Sequence, residues 1–293
     1  MTDKPKWARG SNQWVKRPGV QSPSPPAQGQ QIEGQGSAAA RAAGELDVWR
    51  REDTGITWAD FSVEAIKPTA VDRSRYRFRA HLPELIWNTA ALEGNTFTLP
   101  EVETLLDGTT IGGKKLEDEE QILALSQAYN RLDELVGSGG FTLSKEVSDE
   151  LHGLVAVHEA IEVGHFRGEG AANGGGNVRL STGGLVEGTP HGLGGELLRD
   201  HFENLLAYLA SLEDARQRAL LYFASATRRQ YYFDGNKRTA RLMMTGELMA
   251  SGYDIVSVPF ARRLEFNNAL DALFTTDDAT ELLAFLTTCT LPD

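Results

Sequence analysis

Between Gln230 and Met244 the chain reads QYYFDGNKRTARLMM. An acid, a glycine and an asparagine stand directly before a basic helix start. The first backbone N–H groups of such a helix have no partner inside it, and its dipole is positive at that end, so the turn can hold an anion. Gly235 permits a tight turn and a close approach of backbone to ligand. Asn236 suits the turn and suits capping the helix that follows. Arg238 and Arg241 are three residues apart and share a helix face, where two guanidiniums suit a polyphosphate. Asp234 beside phosphates suits Mg2+, a hard cation that takes oxygen ligands and usually shares them with phosphates. A plain helix cap with two surface arginines has the same spacing, and spacing alone does not decide between the two.

The elements that must position this turn are helical. LPELIWNTAALEGN carries Leu82, Leu85, Ile86 and Ala90 at helical spacing and stops at Gly94-Asn95. TLPEVETLLDG begins with Thr98 as N-cap, with Pro100 in the first turn and Glu101 three residues after the cap. EDEEQILALSQAYNRLDELVGSGG puts Ile122, Leu125, Ala128, Tyr129, Leu132 and Leu135 on one face. Ser144 is the expected cap of SKEVSDELHGLVAVHEAI, and five further helical stretches follow, from GELLRDHFENLLAYLASLED to ATELLAFLTTC. Leu242, Met243 and Met244 are expected in the core. Between Gly164 and Gly195 the periodicity fails, and a glycine-rich loop with room for a hairpin is expected; so long a loop in a compact domain is usually functional.

Composition narrows the setting. The net charge of −12 argues against a general affinity for nucleic acid or anionic membrane. No apolar run approaches the roughly 20 residues that span a bilayer, and the N-terminus lacks the apolar core of a signal peptide. The single cysteine, Cys289, has no internal partner, so a reducing cytoplasm is the expected location. Residues 1–43 are rich in Pro, Gln, Gly and Ala and mildly basic, and are expected to be a disordered tail. Trp7 and Trp14 would be its anchors if it docks.

Asp234-Gly235-Asn236-Lys237-Arg238-Thr239-Ala240-Arg241 resembles the signature loop of Fic (Fido) proteins, His-x-Phe-x-Asp/Glu-Gly-Asn-x-Arg-x-x-Arg. NTAALEGNTFTLPEVETLL resembles the inhibitory segment that some members carry N-terminal to the core, with Thr89, Glu93 and Gly94 in its places. EVGHFRG resembles the Gly-x-x-Arg element before the family's flap, with Gly164 and Arg167. The resemblance implies an all-α Fic-fold helical bundle with a small β-hairpin flap. It divides the chain into the tail 1–43, an N-terminal helical region 44–140 with the inhibitory helix, and a Fic core with C-terminal helices over 141–293.

The resemblance also implies chemistry: transfer of AMP from ATP to a hydroxyl of a target protein. Asp234 would bind Mg2+, the backbone of Gly235, Asn236 and Lys237 would cradle phosphates, and Arg238 and Arg241 would hold the outer ones. Glu93 would pair with Arg241 and block seating of the γ-phosphate. Asn177 to Pro190 would form the flap, with Val178, Leu180, Leu185 and Val186 contacting an extended segment of the target. A homo-oligomer stays open.

Two positions depart from the family's pattern. Gln230 stands where the motif has histidine, and Tyr232 where it has phenylalanine. The six histidines, His81, His152, His158, His165, His191 and His201, all lie outside the loop. In the family the histidine takes the proton of the attacking hydroxyl, and glutamine cannot accept it at neutral pH. A general base is worth typically about 10²–10⁴-fold, whereas positioning and electrostatic stabilisation carry most of a phosphoryl-type transfer. Transfer is therefore expected to be weak or altered while the pocket survives. Two alternatives stay open: a non-catalytic Fic-like interaction module, and an enzyme that removes AMP or hydrolyses nucleotides with Glu93 as base. Whether the chain is an enzyme is left open by the sequence.

Weaker signals are His158, Glu162 and His165, which would share a face and could hold zinc only on a continuous helix. GEGAANGGG has no strand before it and no βαβ unit around it, which argues against a dinucleotide loop. Lys237 adds charge near the phosphates at a place where many Fic-like loops have glycine and others lysine.

Overall fold

Residues 50–291 are described in the computed structural model. The expected tail, with Trp7 and Trp14, lies outside them. The first helix, α1 (Val71–Ala80), was not singled out from the sequence; the helices foreseen from apolar spacing follow as α2 (Leu82–Leu92), α3 (Leu99–Leu106), α4 (Leu116–Gly137) and α5 (Lys145–Val155). A two-stranded hairpin follows, β1 (Val178–Arg179) and β2 (Leu185–Val186), and then α6 (Glu196–Ala210), α7 (Ala215–Arg229), α8 (Asn236–Ala250), α9 (Arg263–Thr276) and α10 (Thr280–Leu286). The fold is the expected helical bundle with a small hairpin, in which Val178 faces Val186 and Arg179 faces Leu185.

Local chemistry sets the boundaries. The N–H of Thr98 donates to the Glu101 carboxylate at 2.8 Å, as a capping box requires. Ser144 caps α5, its hydroxyl accepting from the N–H of Val147 at 3.3 Å. Helix α5 stops at Val155, short of the stretch that would have carried His158, Glu162 and His165 on one face. Among the described residues no cluster of three or more metal-capable side chains exists.

The core is built around α8, which is buried along almost its whole length. Leu242, Met243, Met244, Leu248 and Met249 are fully enclosed, each contributing about 2 kcal/mol by burial. Helix α7 packs along one side of α8, and α5 and α4 along others. Because α7 and α8 are antiparallel neighbours inside this core, the six residues joining them are held at a fixed place at one end of the pair. Among the described residues no helix is long and apolar enough to cross a membrane.

Candidate active site

The joining turn runs from Gln230 to Gly235. Gln230 ends α7 in the left-handed conformation (φ 53°, ψ 62°), which is uncommon outside glycine. Its side chain folds back over its own helix. The amide nitrogen donates to the Thr227 carbonyl at 2.7 Å, and the amide oxygen accepts from Asn236 Nδ2 at 3.1 Å. Asn236 does not cap its helix from outside, as the sequence suggested; it is the first residue of α8 and braces the turn from below. Its Oδ1 accepts the Tyr232 N–H at 2.8 Å and its Nδ2 donates to the Tyr232 carbonyl at 2.7 Å. The N-cap is Gly235, at φ 71°, with no side chain closing the helix end. A Cβ on Gly235 would also press on the Ala156 methyl at 3.0 Å.

Beneath the turn lies a residue the sequence reading passed over. His152 is enclosed and stacked on Tyr232, with ring centroids 3.8 Å apart. Its Nδ1 accepts the Gly164 N–H at 3.0 Å, which leaves Nε2 as the donor to the Asp234 carbonyl at 3.0 Å. The available signal was its place beside Leu151 and Ser148 on the buried face of α5. Tyr232, at the motif's phenylalanine position, keeps its ring in the core, and its hydroxyl meets Ser148 and Asp149, each at 2.8 Å.

Burial pulls the His152 imidazole down to about 4, and the nearby Arg238 adds to the effect. As pH falls from about 6.5, the unfolded chain takes up this proton before the folded one does. The stability held by the neutral ring is complete above that pH and is lost as pH drops towards 4. Urea midpoints at pH 7, 5.5 and 4.5 should therefore fall more steeply for the parent than for His152→Gln, by at most about 1.4 kcal/mol per pH unit. Equal slopes would mean that the ring does not stay neutral in the fold.

A pocket of about 440 Å³ opens above the turn, a size typical of small-ligand sites. Gln230, Asp234, Gly235, Asn236, Lys237 and Arg238 all line it, and Glu93 borders it from the end of α2. The Asp234 carboxylate is more than half exposed, at 59 %. Arg238 is buried and already engaged, bidentate on Glu159 at 2.6 Å for both contacts and 3.3 Å from Asp234. Nothing in the spacing of Glu159 pointed to that role.

The segment expected to be inhibitory differs from expectation in one partner. Glu93 does not pair with Arg241; its Oε2 lies 2.8 Å from Lys237 Nζ. Lys237 is the second residue of α8 and faces the pocket, whereas Arg241 lies one turn deeper, its guanidinium buried without a hydrogen-bond partner. Burial opposes ionisation of Glu93, yet the charge of Lys237, with Arg238 and Arg241 behind it, holds the carboxyl below its ordinary value. Thr89 is buried and meets the Tyr129 hydroxyl at 2.7 Å, so it fastens α2 to α4. Gly94 turns the chain out of α2 at φ 94°.

The flap is anchored at both ends. At its tip, the Ser181 N–H and hydroxyl and the Thr182 N–H all donate to Asp271 of α9, at 3.0, 2.5 and 3.3 Å. Of the four expected contact residues, Leu185 is exposed at 63 %, while Val178, Leu180 and Val186 pack partly inward. At its base stands Arg167, 1 % exposed. Its Nε donates to the Gln230 carbonyl at 2.7 Å, Nη1 to Gly175 at 2.8 Å and Nη2 to Thr189 at 2.9 Å. Gly176, at φ 79°, lies where a Cβ would run into this guanidinium. The glycine-rich stretch thus wraps an arginine.

No family model matches the chain. Among curated proteins it is 30% identical over 210 residues to the protein adenylyltransferase Fic of Drosophila ananassae, covering 70% of this chain and 39% of that one. The protein of the same name from Drosophila grimshawi is also 30% identical, with 70% and 40% covered. The chain therefore spans about two fifths of the length of these relatives. Among solved structures, Fic-1 from C. elegans superposes with a TM-score of 0.59 at 20% identity, covering 88% of this chain and 70% of that one. A Fic domain containing signaling protein from Bacteroides thetaiotaomicron gives 0.59 at 20%, covering 84% and 91%. At these identities the structural matches speak for the fold.

Proposed function

Because the chain belongs to the Fic domain family, we propose that it binds ATP with Mg2+ at the Asp234–Arg241 turn and is an adenylyltransferase acting on a protein hydroxyl. Glu93 holds the site closed, and Gln230 makes transfer slow. One observation carries the reading: the start of α8, with no side-chain cap, forms the floor of the 440 Å³ pocket beside the exposed Asp234 carboxylate. An uncapped helix start favours phosphate oxygens.

The residues present fit a magnesium ion shared with phosphates, since a single exposed carboxylate leaves the other ligand positions to phosphate and water. Asp234 would hold it, and the ion would offset phosphate charge. The N–H groups of Asn236 and Lys237 orient the phosphates, and Lys237 neutralises one of them once it lets go of Glu93. Arg241 is uncovered by the same movement and takes the outermost phosphate. The target's hydroxyl approaches along the flap, where Leu185 offers an apolar contact. The setting assumed is a reducing, ATP-containing compartment such as the cytoplasm.

Gln230 favours a second reading, a nucleotide-binding interaction module without turnover. Its amide is engaged on both sides by Thr227 and Asn236 and has no basic atom to offer a hydroxyl.

Calorimetry with ATP and Mg2+ tests the shared premise. Glu93→Gly should bind ATP at least about tenfold more tightly than the parent, because a desolvated carboxylate no longer competes for the cations. Adding Arg241→Ala should cost triphosphate far more than AMP. Equal loss for both ligands would remove Arg241 from the outer phosphate, and no binding by Glu93→Gly would sink the nucleotide site.

A further inference from the structure

A second pocket, of about 180 Å³, opens at the C-terminal end of α7 and is lined by Arg51, Gly55, Thr189, Arg228, Arg229 and Asp277. Three guanidiniums meet one carboxylate here, in a chain whose net charge is −12. That carboxylate is already shared: Asp277 pairs with Arg51 and, at 2.6 Å, with Arg228 Nε. Arg229 is left over. Its guanidinium lies flat against Gly55, so close that any Cβ there would collide with it. It is half-buried, and this burial lowers its affinity for the proton. Among the described residues no hydrogen bond or close ion pair holds it, and Asp277 acts on it only through its charge. A half-buried guanidinium with no protein oxygen on it is open to an anion that supplies the oxygens.

We propose that this pocket binds a small tetrahedral oxyanion, either inorganic phosphate or the phosphate of a small phosphomonoester. The chemistry follows from the planar donor forks of Arg229 and Arg51, which match paired phosphate oxygens, with Thr189 on the wall. The volume admits a phosphate with little more and falls below the usual range for a nucleotide-sized ligand, about 300–1,000 Å³. The anion would sit where flap base and motif turn meet. Arg229 directly precedes Gln230, and Arg167 ties the carbonyls of Thr189 and Gln230 together. The site stands apart from the nucleotide pocket and does not depend on that reading.

The test is calorimetry of the full chain with inorganic phosphate, at low chloride, with glycerol 3-phosphate in parallel. The parent should bind phosphate at a site that Arg229→Gln weakens by about tenfold or more. Arg51→Gln, a change at a half-exposed side chain that leaves the core untouched, should weaken it as well. Lys237→Ala, in the other pocket, should leave it unchanged. Tighter binding of glycerol 3-phosphate would identify an ester as the ligand, and equal or weaker binding the free ion. The proposal is overturned if the parent takes up neither anion, if both arginine variants bind as the parent does, or if Lys237→Ala abolishes uptake.

Discussion

Gln230→His combined with Glu93→Gly should raise AMP transfer to protein hydroxyls over the parent by more than the factor of about 10²–10⁴ that a general base supplies alone. The first change supplies a group of pKa near about 6.5 where a hydroxyl proton has to go. The turn is ready for it, because its shape is set mainly by atoms other than the Gln230 side chain. Asn236 clamps Tyr232 through two hydrogen bonds, Gly235 supplies the left-handed step, and His152 holds the Asp234 carbonyl. The Gln230 side chain contributes only its contacts to Thr227 and Asn236. The second change releases Lys237 from its carboxylate. Deprotonation and phosphate seating are different steps, so the two gains should multiply, with each single variant falling between parent and double variant. Transfer of radiolabelled AMP to the protein itself or to lysate proteins reads this out. If the double variant binds ATP with Mg2+ and yet leaves no label, the wall around Tyr232 has diverged too. The module without turnover then becomes the better reading.

Sequence spacing revealed those parts of this molecule that obey local rules. Apolar periodicity placed the helices, and the Thr98–Glu101 and Ser144 caps fell where their side-chain chemistry requires. The turn at Asp234 was legible because glycine and asparagine mark it in the chain itself. Partners brought together from distant segments were not legible. Arg238 and Glu159 are 79 positions apart, and no local pattern joins them. The Glu93 pairing went astray for a related reason: the resemblance named the deeper Arg241, while α8 presents Lys237 at the pocket face, and the longer reach into the core loses to the nearer cation. His152 was hidden by its type, since one polar residue on an apolar helix face looks the same whether it is a core histidine or the floor of a site.

Arg167→Met should destabilise the fold by about 3 kcal/mol or more, read as a lowered urea midpoint. The side chain donates only to backbone: to the carbonyls of Gln230, Gly175 and Thr189 at 2.7–2.9 Å, and to that of Gly174 at 3.3 Å. No carboxylate neutralises it, so its burial is sustained by these carbonyl dipoles alone. Methionine fills much of the same volume without a donor, and three well-aligned oxygens then lose their partner at about 1–3 kcal/mol for each that water cannot reach. Water entry at the exposed glycine loop limits the total, which is why the expectation stays below the sum. Arg167→Lys should rescue little, because one ammonium cannot address three directions that a planar fork serves at once. The damage should also be directional. The Arg167 N–H still donates to the Tyr231 carbonyl at 2.8 Å, so the chain before the flap stays attached to the motif turn. The flap base at Thr189 loses its tie, and hydrogen exchange should rise from Gly174 to Thr189 before it rises in α7 or α8. A midpoint within about 0.5 kcal/mol of the parent's would show that the flap is held from its Asp271 end, and that Arg167 is a passenger.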